Sequence, residues 1–208
     1  MTVAAAPDLP RVFRDDGPAA RALGRVLGPL IPAPAPALAL AGLAPLLAVA
    51  AFGGADVPLA VVAAVLAWAV VAGSAARGRP ARKAVWTEPP LVRLTEYVAF
   101  IWLAAHEGSH ALPAAFALIA ALAFHTYDLP YRLRHQGALP PAWLSLPGWE
   151  GRVAIAFALL ALGALPAGFY VAAGLLGAVF VIEAGASWLA YGRGAEHDPY
   201  DDEGDDEP

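Results

Sequence analysis

Six apolar stretches separated by turn residues constrain this chain more than any other feature: Pro36–Phe52, Val57–Ala76, Leu91–Ala105, Leu112–Tyr127, Val153–Pro166 and Phe169–Trp188. A helix that crosses a bilayer needs about 17–25 residues, and three of the stretches fall slightly short of that. The breaks between them are well marked. Gly53-Gly54, Gly108-Ser109 followed by Pro113, and Pro166-Ala-Gly168 are all turn punctuation. One continuous helix from Leu91 to Tyr127 would be ~55 Å long at 1.5 Å per residue, too long for one crossing. With 59% hydrophobic and 15% charged residues, the chain departs from the roughly 45–50% and 25% of ordinary soluble domains. So much apolar side chain with so few charges needs lipid as its solvent. The same numbers, with no cysteine, exclude a disulfide-stapled secreted scaffold, a disordered chain and a nucleic-acid binder with a basic face.

The charges supply an orientation. The thirteen Lys and Arg residues precede the first stretch, lie between or just inside the second and third, lie between the fourth and fifth, or follow the sixth. With six spans they all fall on one side, which the positive-inside rule makes the cytoplasm, with both termini inside. The expected fold is therefore all-α: a polytopic bundle of about six transmembrane helices in the plasma membrane. A five-span variant, fusing Val153 to Ile182, would move only Arg193 and the C-terminal tail outside.

Residues 1–29 read as a cytoplasmic segment. Asp8, Asp15 and Asp16 and the lack of a compact apolar core argue against a cleavable signal. Arg14 to Leu30 suits a short amphipathic helix on the inner leaflet, with Asp16 as its cap. Residues 30–193 form the transmembrane domain. The tail 194–208 holds eight acids and no Lys or Arg, so the net charge of −5 divides into a −8 tail and a +3 body (13 − 10). A run so acidic and so poor in apolar residues stays solvated. Trp86, Trp143 and Trp149 are expected at headgroup level.

Ionisable groups within apolar spans are costly unless paired or hydrated, which makes them the candidate site. Glu183 lies well inside the sixth span. Arg93, Glu96 and Tyr97 lie at the inner end of the third. His125, Tyr127, Asp128, Tyr131 and Arg132 cluster at the inner end of the fourth, and Glu150 and Arg152 just precede the fifth. In the six-span arrangement all converge on the cytoplasmic half of the membrane. Such a pocket could bind phosphate through Arg93, Arg132 or Arg152, hold a divalent metal through Glu96, Asp128 or Glu183, or move a proton. The plainer alternative is that Glu183 pairs with an arginine or histidine to fix the bundle.

Two motifs need weighing. His106-Glu107-Gly108-Ser109-His110 matches H-E-x-x-H, in which two histidines on one helical face hold zinc. Gly108 and Ser109 weaken that helix and no third ligand is at hand, so a hydrated outer turn is the better reading. Asp16-Gly17-Pro18-Ala19-Ala20-Arg21 resembles the D-G-x-x-A-R portion of the CDP-alcohol phosphotransferase signature. Phe13 replaces that signature's first aspartate and the later aspartates are missing, so the segment reads as a helix start.

Glu96-Tyr97, His125-x-Tyr127-Asp128-x-x-Tyr131-Arg132, Gly148-x-Glu150-Gly151-Arg152 and Glu183 followed by Trp188 together resemble an uncharacterised actinobacterial membrane domain. That domain is usually found C-terminal to a CDP-alcohol phosphatidyltransferase domain. The resemblance runs from about Arg14 to Trp188 and implies a setting in phospholipid or glycolipid assembly. It suggests an accessory or substrate-binding role beside a CDP-alcohol phosphotransferase, with the bilayer as the other partner. Two further expectations stand beside it: an enzyme acting on a phosphorylated lipid, with Asp128 and Glu183 on a metal and Arg132 on phosphate, and a small proton-coupled transporter using Glu183 and His125.

Overall fold

The computed structural model describes residues 13–30, 70–74 and 85–195, with positions 37 and 67 in isolation. The stretches Pro36–Phe52 and Val57–Ala76 lie largely outside the described residues, and the tail 196–208 entirely so. Among the described residues the protein is helical, without a strand. Five α-helices are named here in chain order: α1 (Pro18–Leu27), α2 (Glu88–Glu107), α3 (Leu112–Gln136), α4 (Gly148–Ala161) and α5 (Leu165–Ala195).

Helix boundaries follow local chemistry. Prolines open several helices, at positions where their missing N–H leaves no intrahelical bond unmade: Pro18 in α1, Pro89 in α2 and Pro113 in α3. Gly108, at φ 134°, ends α2, and a 3-10 turn, Ser109–Ala111, leads into α3. The α4–α5 break falls at 162–164, ahead of the Pro166-Ala-Gly168 signal, because Leu159 to Ala164 close a Schellman motif. Gly163 adopts φ 64°, its N–H donates to Leu160 O (3.0 Å), and the Ala164 N–H donates to Leu159 O (2.8 Å). Pro166 then sits in the first turn of α5, so Val153 to Trp188 forms two helices and not one. Helix α3 runs on to Gln136, nine residues past the expected end, although Pro130 lies inside it. Side chains beyond Pro130 hold that last stretch to α5: Arg132 bonds Glu183, and Ser187 Oγ donates to Gln136 Oε1 (2.9 Å).

Helices α2 and α4 run parallel in contact, as do α3 and α5, which puts the starts of α2 and α4 and the ends of α3 and α5 at one end of the bundle. Small residues let the helices approach: Ala99, Ala104, Ala114, Ala115 and Ala156 are buried beside Phe100, Leu103 and Leu118. Phe100 meets Phe169 edge-on at 5.5 Å. Two stretches are long and apolar enough to cross a membrane, Ser109–Gln136 at mean hydropathy 1.4 and Leu165–Arg193 at 2.1. At 14 residues, α4 is ~21 Å long, and α2 carries Glu88, Arg93, Glu96 and Glu107.

Candidate functional site

The candidate residues form two buried ion-pair clusters at the end of the bundle where α2 and α4 begin and α3 and α5 end. The first joins three segments. Glu96 of α2 is fully buried. It accepts from Arg93 Nη1 (2.8 Å), Arg152 Nε (2.6 Å) and Arg152 Nη2 (3.2 Å). Asp15, ahead of α1, places Oδ2 2.7 Å from both Arg93 Nη2 and Arg152 Nη2. Two carboxylates and two guanidiniums therefore close a neutral quartet. Asp15 takes φ 58° to reach it, a left-handed conformation that aspartate tolerates better than most residues. Burial alone would raise the Asp15 pKa, but the two guanidiniums hold it below the ordinary 3.8. Burial would likewise lower that of Arg152, and Glu96 with Asp15 raises it instead.

Around the quartet the N-terminal segment is fastened into the bundle. Arg14 is fully buried. It donates to both Asp16 oxygens (2.9 and 3.2 Å), to Glu88 Oε2 (3.2 Å) and to Ala72 O (3.2 Å). Asp16 does not cap α1. Its Oδ1 also accepts from Trp149 Nε1 (2.8 Å), and the helix begins at Gly17 without a side-chain cap of its own. Glu150 supplies the cap from α4, accepting from the Gly17 N–H and the Ala20 N–H, both at 3.0 Å. Those are the N-cap and N3 donors that, in a capping box within one helix, the N3 glutamate and the N-cap hydroxyl take between them. Only glycine fits this approach. A Cβ on Gly17 would lie 2.1 Å from Pro147 O, and one on Gly148, at φ 84°, would lie 2.3 Å from Gly17 N. Trp149 is consequently a fully buried core residue and no headgroup anchor, whereas Trp86 and Trp143 are exposed.

The second cluster ties α3 to α5. Arg132 Nη1 and Nη2 fork onto the two Glu183 oxygens, the first at 2.7 Å, and Arg132 Nε donates to Asp128 Oδ2. Trp188 Nε1 donates to Asp128 Oδ1 (3.3 Å). His125 lies between the clusters, within the fields of Asp15, Arg93, Arg152 and Asp128. Its ring stacks on Phe180 at 4.2 Å, and among the described residues its Nε2 has no hydrogen-bond partner.

The chain matches the model of a family of unknown function, DUF5941, over residues 4–204. It belongs to that family. No curated protein and no solved structure matches it.

In this DUF5941 protein the expected single pocket is two clusters, one across α2 and α4 and one across α3 and α5, and Tyr127 and Tyr131 face out and join neither. Those tyrosines are exposed and bond each other through their hydroxyls at 2.9 Å. Tyr97 is half-buried and lines a cleft of about 610 Å³ between α2 and α3, together with Arg93 and Tyr127. Phosphate binding through Arg93, Arg132 or Arg152 does not fit the geometry, since each guanidinium already binds carboxylates from two residues. A divalent metal on Glu96, Asp128 and Glu183 fits no better. The lone pairs it would take are engaged by N–H donors, and no metal-holding group of three acids or histidines is assembled among the described residues. His106 and Glu107 end α2, Gly108 breaks the helix, and His110 sits in the 3-10 turn. The two histidines thus share no helical face. The N-terminal Arg14, Asp15 and Asp16 are site residues that sequence reasoning left out. Their signals were the density of charge ahead of Gly17-Pro18 and the start of the family resemblance at Arg14.

Proposed function

We propose that this is a multi-pass plasma-membrane protein with both termini in the cytoplasm. It acts as an accessory or substrate-binding module beside a CDP-alcohol phosphotransferase in phospholipid or glycolipid synthesis. The membrane part of the reading is supported by α5, whose most apolar window is only 17% buried within the protein. A core helix of a soluble domain would be covered, whereas here Val171, Leu175, Ile182 and Leu189 are exposed. The accessory part is supported by the mutual engagement of the charged side chains. Each of Arg93, Arg132 and Arg152 is paired with carboxylates of two residues, and Glu96, Asp128 and Glu183 all accept from arginines. The arrangement suits a rigid scaffold that presents surfaces, and a general acid, base or metal carboxylate would have to leave its pair first.

The test is copurification of the full chain from its native membrane, followed by assay on CDP-linked alcohols. The accessory reading expects a phosphotransferase to copurify, both with the wild type and with Glu183→Gln, and expects no turnover by the isolated chain. Turnover by the isolated chain that Asp128→Asn abolishes would replace it with the enzyme reading. Topology is checked separately. The chain has no cysteine, so a single Ala195→Cys reports one site, and its labelling from outside would overturn the cytoplasmic C-terminus.

A further inference from the structure

Between α3 and α5 lies another pocket, of about 400 Å³, within the roughly 300–1,000 Å³ of small-molecule sites. Phe124, Tyr127 and Tyr131 reach it from α3 and Trp188 from α5, and one carboxylate, Asp128, stands among the rings. The rings are held in place. Tyr127 and Tyr131 lie 4.7 Å apart between centroids and share the bond between their hydroxyls. Tyr131 continues through His135 to Trp188, at 6.0 and 6.1 Å, so the aromatic chain crosses from one helix to the other. The Arg132–Glu183 fork fixes the two helices side by side. Gly185 keeps the pocket open on the α5 side: a Cβ there would meet nothing within 4 Å, although glycine weakens a helix interior more than any residue but proline.

Aromatic side chains gather at membrane surfaces in general. Tyr131 and Trp188 fit that pattern, each ~8 Å by helical rise from Gln136 and Arg193, where the two membrane-crossing stretches end. The charge beside them is what selects a ligand. Asp128 and Glu183 share the single guanidinium of Arg132, so the cluster behind the rings carries a net −1. Asp128 is only 8% exposed, so little water screens that charge from the pocket. A cation answers it, and the hydrogen bonds decide which kind. Both Asp128 oxygens already accept from N–H groups, Oδ2 from Arg132 and Oδ1 from Trp188. A metal ion or a primary ammonium would need those lone pairs. A quaternary ammonium donates no hydrogen bond, and is held by the field of the carboxylate and by ring faces within about 6 Å. We infer that this pocket binds a quaternary ammonium group, carried by a lipid headgroup or by a free cation. The site depends on neither the membrane orientation nor a transferase partner.

Equilibrium dialysis of the full chain in maltoside detergent against labelled tetramethylammonium tests it, with methylammonium as a primary ammonium of equal charge. Tetramethylammonium should bind at one copy per chain and at least tenfold tighter than methylammonium. Gly185→Leu fills the pocket from a position with open space. Asp128→Asn cancels the net charge and leaves Arg132 paired with Glu183. Each should weaken binding tenfold or more. Thermal melts report whether each variant folds, and loss of fold in one leaves the other to decide. A smaller margin over methylammonium, or unchanged affinity in a folded variant, would overturn the inference. Absence of saturable binding would reduce the rings to interfacial anchors. Choline should compete in every case. Competition by dioleoyl phosphatidylcholine as well, but not by dioleoyl phosphatidylglycerol, assigns the group to a headgroup, and competition by choline alone assigns a free cation. Competition by neither overturns the site.

Discussion

Removing Glu96 from the quartet tests whether the ion pairs act as structure. In Glu96→Gln the side chain keeps its shape, but Arg93 and Arg152 lose a carboxylate that accepts at 2.8, 2.6 and 3.2 Å. Both guanidiniums then face Asp15 alone, each 2.7 Å from Oδ2, and the quartet goes from neutral to +1 at a fully buried site. Breaking a buried pair from one side costs about 3–5 kcal/mol, because the residual charge is left uncompensated. At about 2–4 °C per kcal/mol for a chain of this size, the melting temperature in detergent should fall by roughly 6–20 °C. Arg152→Gln should cost as much, by leaving two carboxylates on Arg93. The double variant Glu96→Gln/Arg152→Gln keeps the Asp15–Arg93 pair and restores neutrality, so it should recover at least ~2 kcal/mol relative to the sum of the singles, within the range of directly contacting residues. Additivity to within about 0.5 kcal/mol would refute the quartet as a coupled unit. Partner copurification intact in the double variant would separate the network's structural role from any chemistry assigned to its members.

Three other outcomes follow from the same contacts. Glu150→Ala strands the N–H groups of Gly17 and the fully buried Ala20, and should cost about 3 kcal/mol or more at about 1.5–3 kcal/mol per bond to a charged group. Glu150→Gln, which retains one acceptor oxygen, should cost about half that in the same thermal melts, and equal losses would contradict the cap. Arg132→Lys loses the planar fork onto Glu183 along with the Nε–Asp128 bond and should cost about 1–3 kcal/mol in denaturant titration. Arg132→Met should cost more, since it leaves Asp128 and Glu183 unopposed. For pH, the folded pKa of Asp15 lies below the unfolded 3.8. Its contribution is therefore fully present above 3.8 and is lost as pH falls from there through the folded value. Melting temperatures scanned downward from pH 5 should decline in that window, and Asp15→Asn should flatten part of the decline.

How much of this was legible in the sequence depended on whether the signal was local. The turn at 108–111 and the end of α2 follow from Gly108 and Ser109 read in place, and the helices over Leu91–Ala105 and Phe169–Trp188 follow from uninterrupted apolar runs. Gly163 gives no such local signal: a lone glycine among alanines and leucines is tolerable in a helix, and only the closure of Ala164 on Leu159 makes it a stop. Asp16 looks like a cap because local motifs are defined within a few residues, while the cap that forms comes from Glu150, 133 residues from Gly17. The inward positions of Glu96, Arg152, Asp128, Arg132 and Glu183 followed from the cost of charge in an apolar span. Their partition into two clusters did not, since pairing depends on which helices run side by side.

The balance of charge in the two clusters argues for where activity should be sought. Seven acids, Asp15, Asp16, Glu88, Glu96, Asp128, Glu150 and Glu183, are set against four arginines, Arg14, Arg93, Arg132 and Arg152. An excess of three carboxylates, six of the seven buried and Glu183 partly so, would ordinarily mark a metal site or a held proton. Here neutral N–H donors stand at the carboxylates that outnumber the guanidiniums. Glu150 has the start of α1, Asp16 has the Trp149 indole, and Asp128 has the Trp188 indole. Hydrogen bonds to the ionised form stabilise it just as a cation would. Most of these carboxylates are therefore spent on the protein's own N–H groups, with Asp15 Oδ1 left without a hydrogen-bond partner among the described residues. The quartet fixes the Arg93 guanidinium through Asp15 and Glu96, so activity is better sought on the surfaces that the two clusters hold in place than at the paired charges themselves.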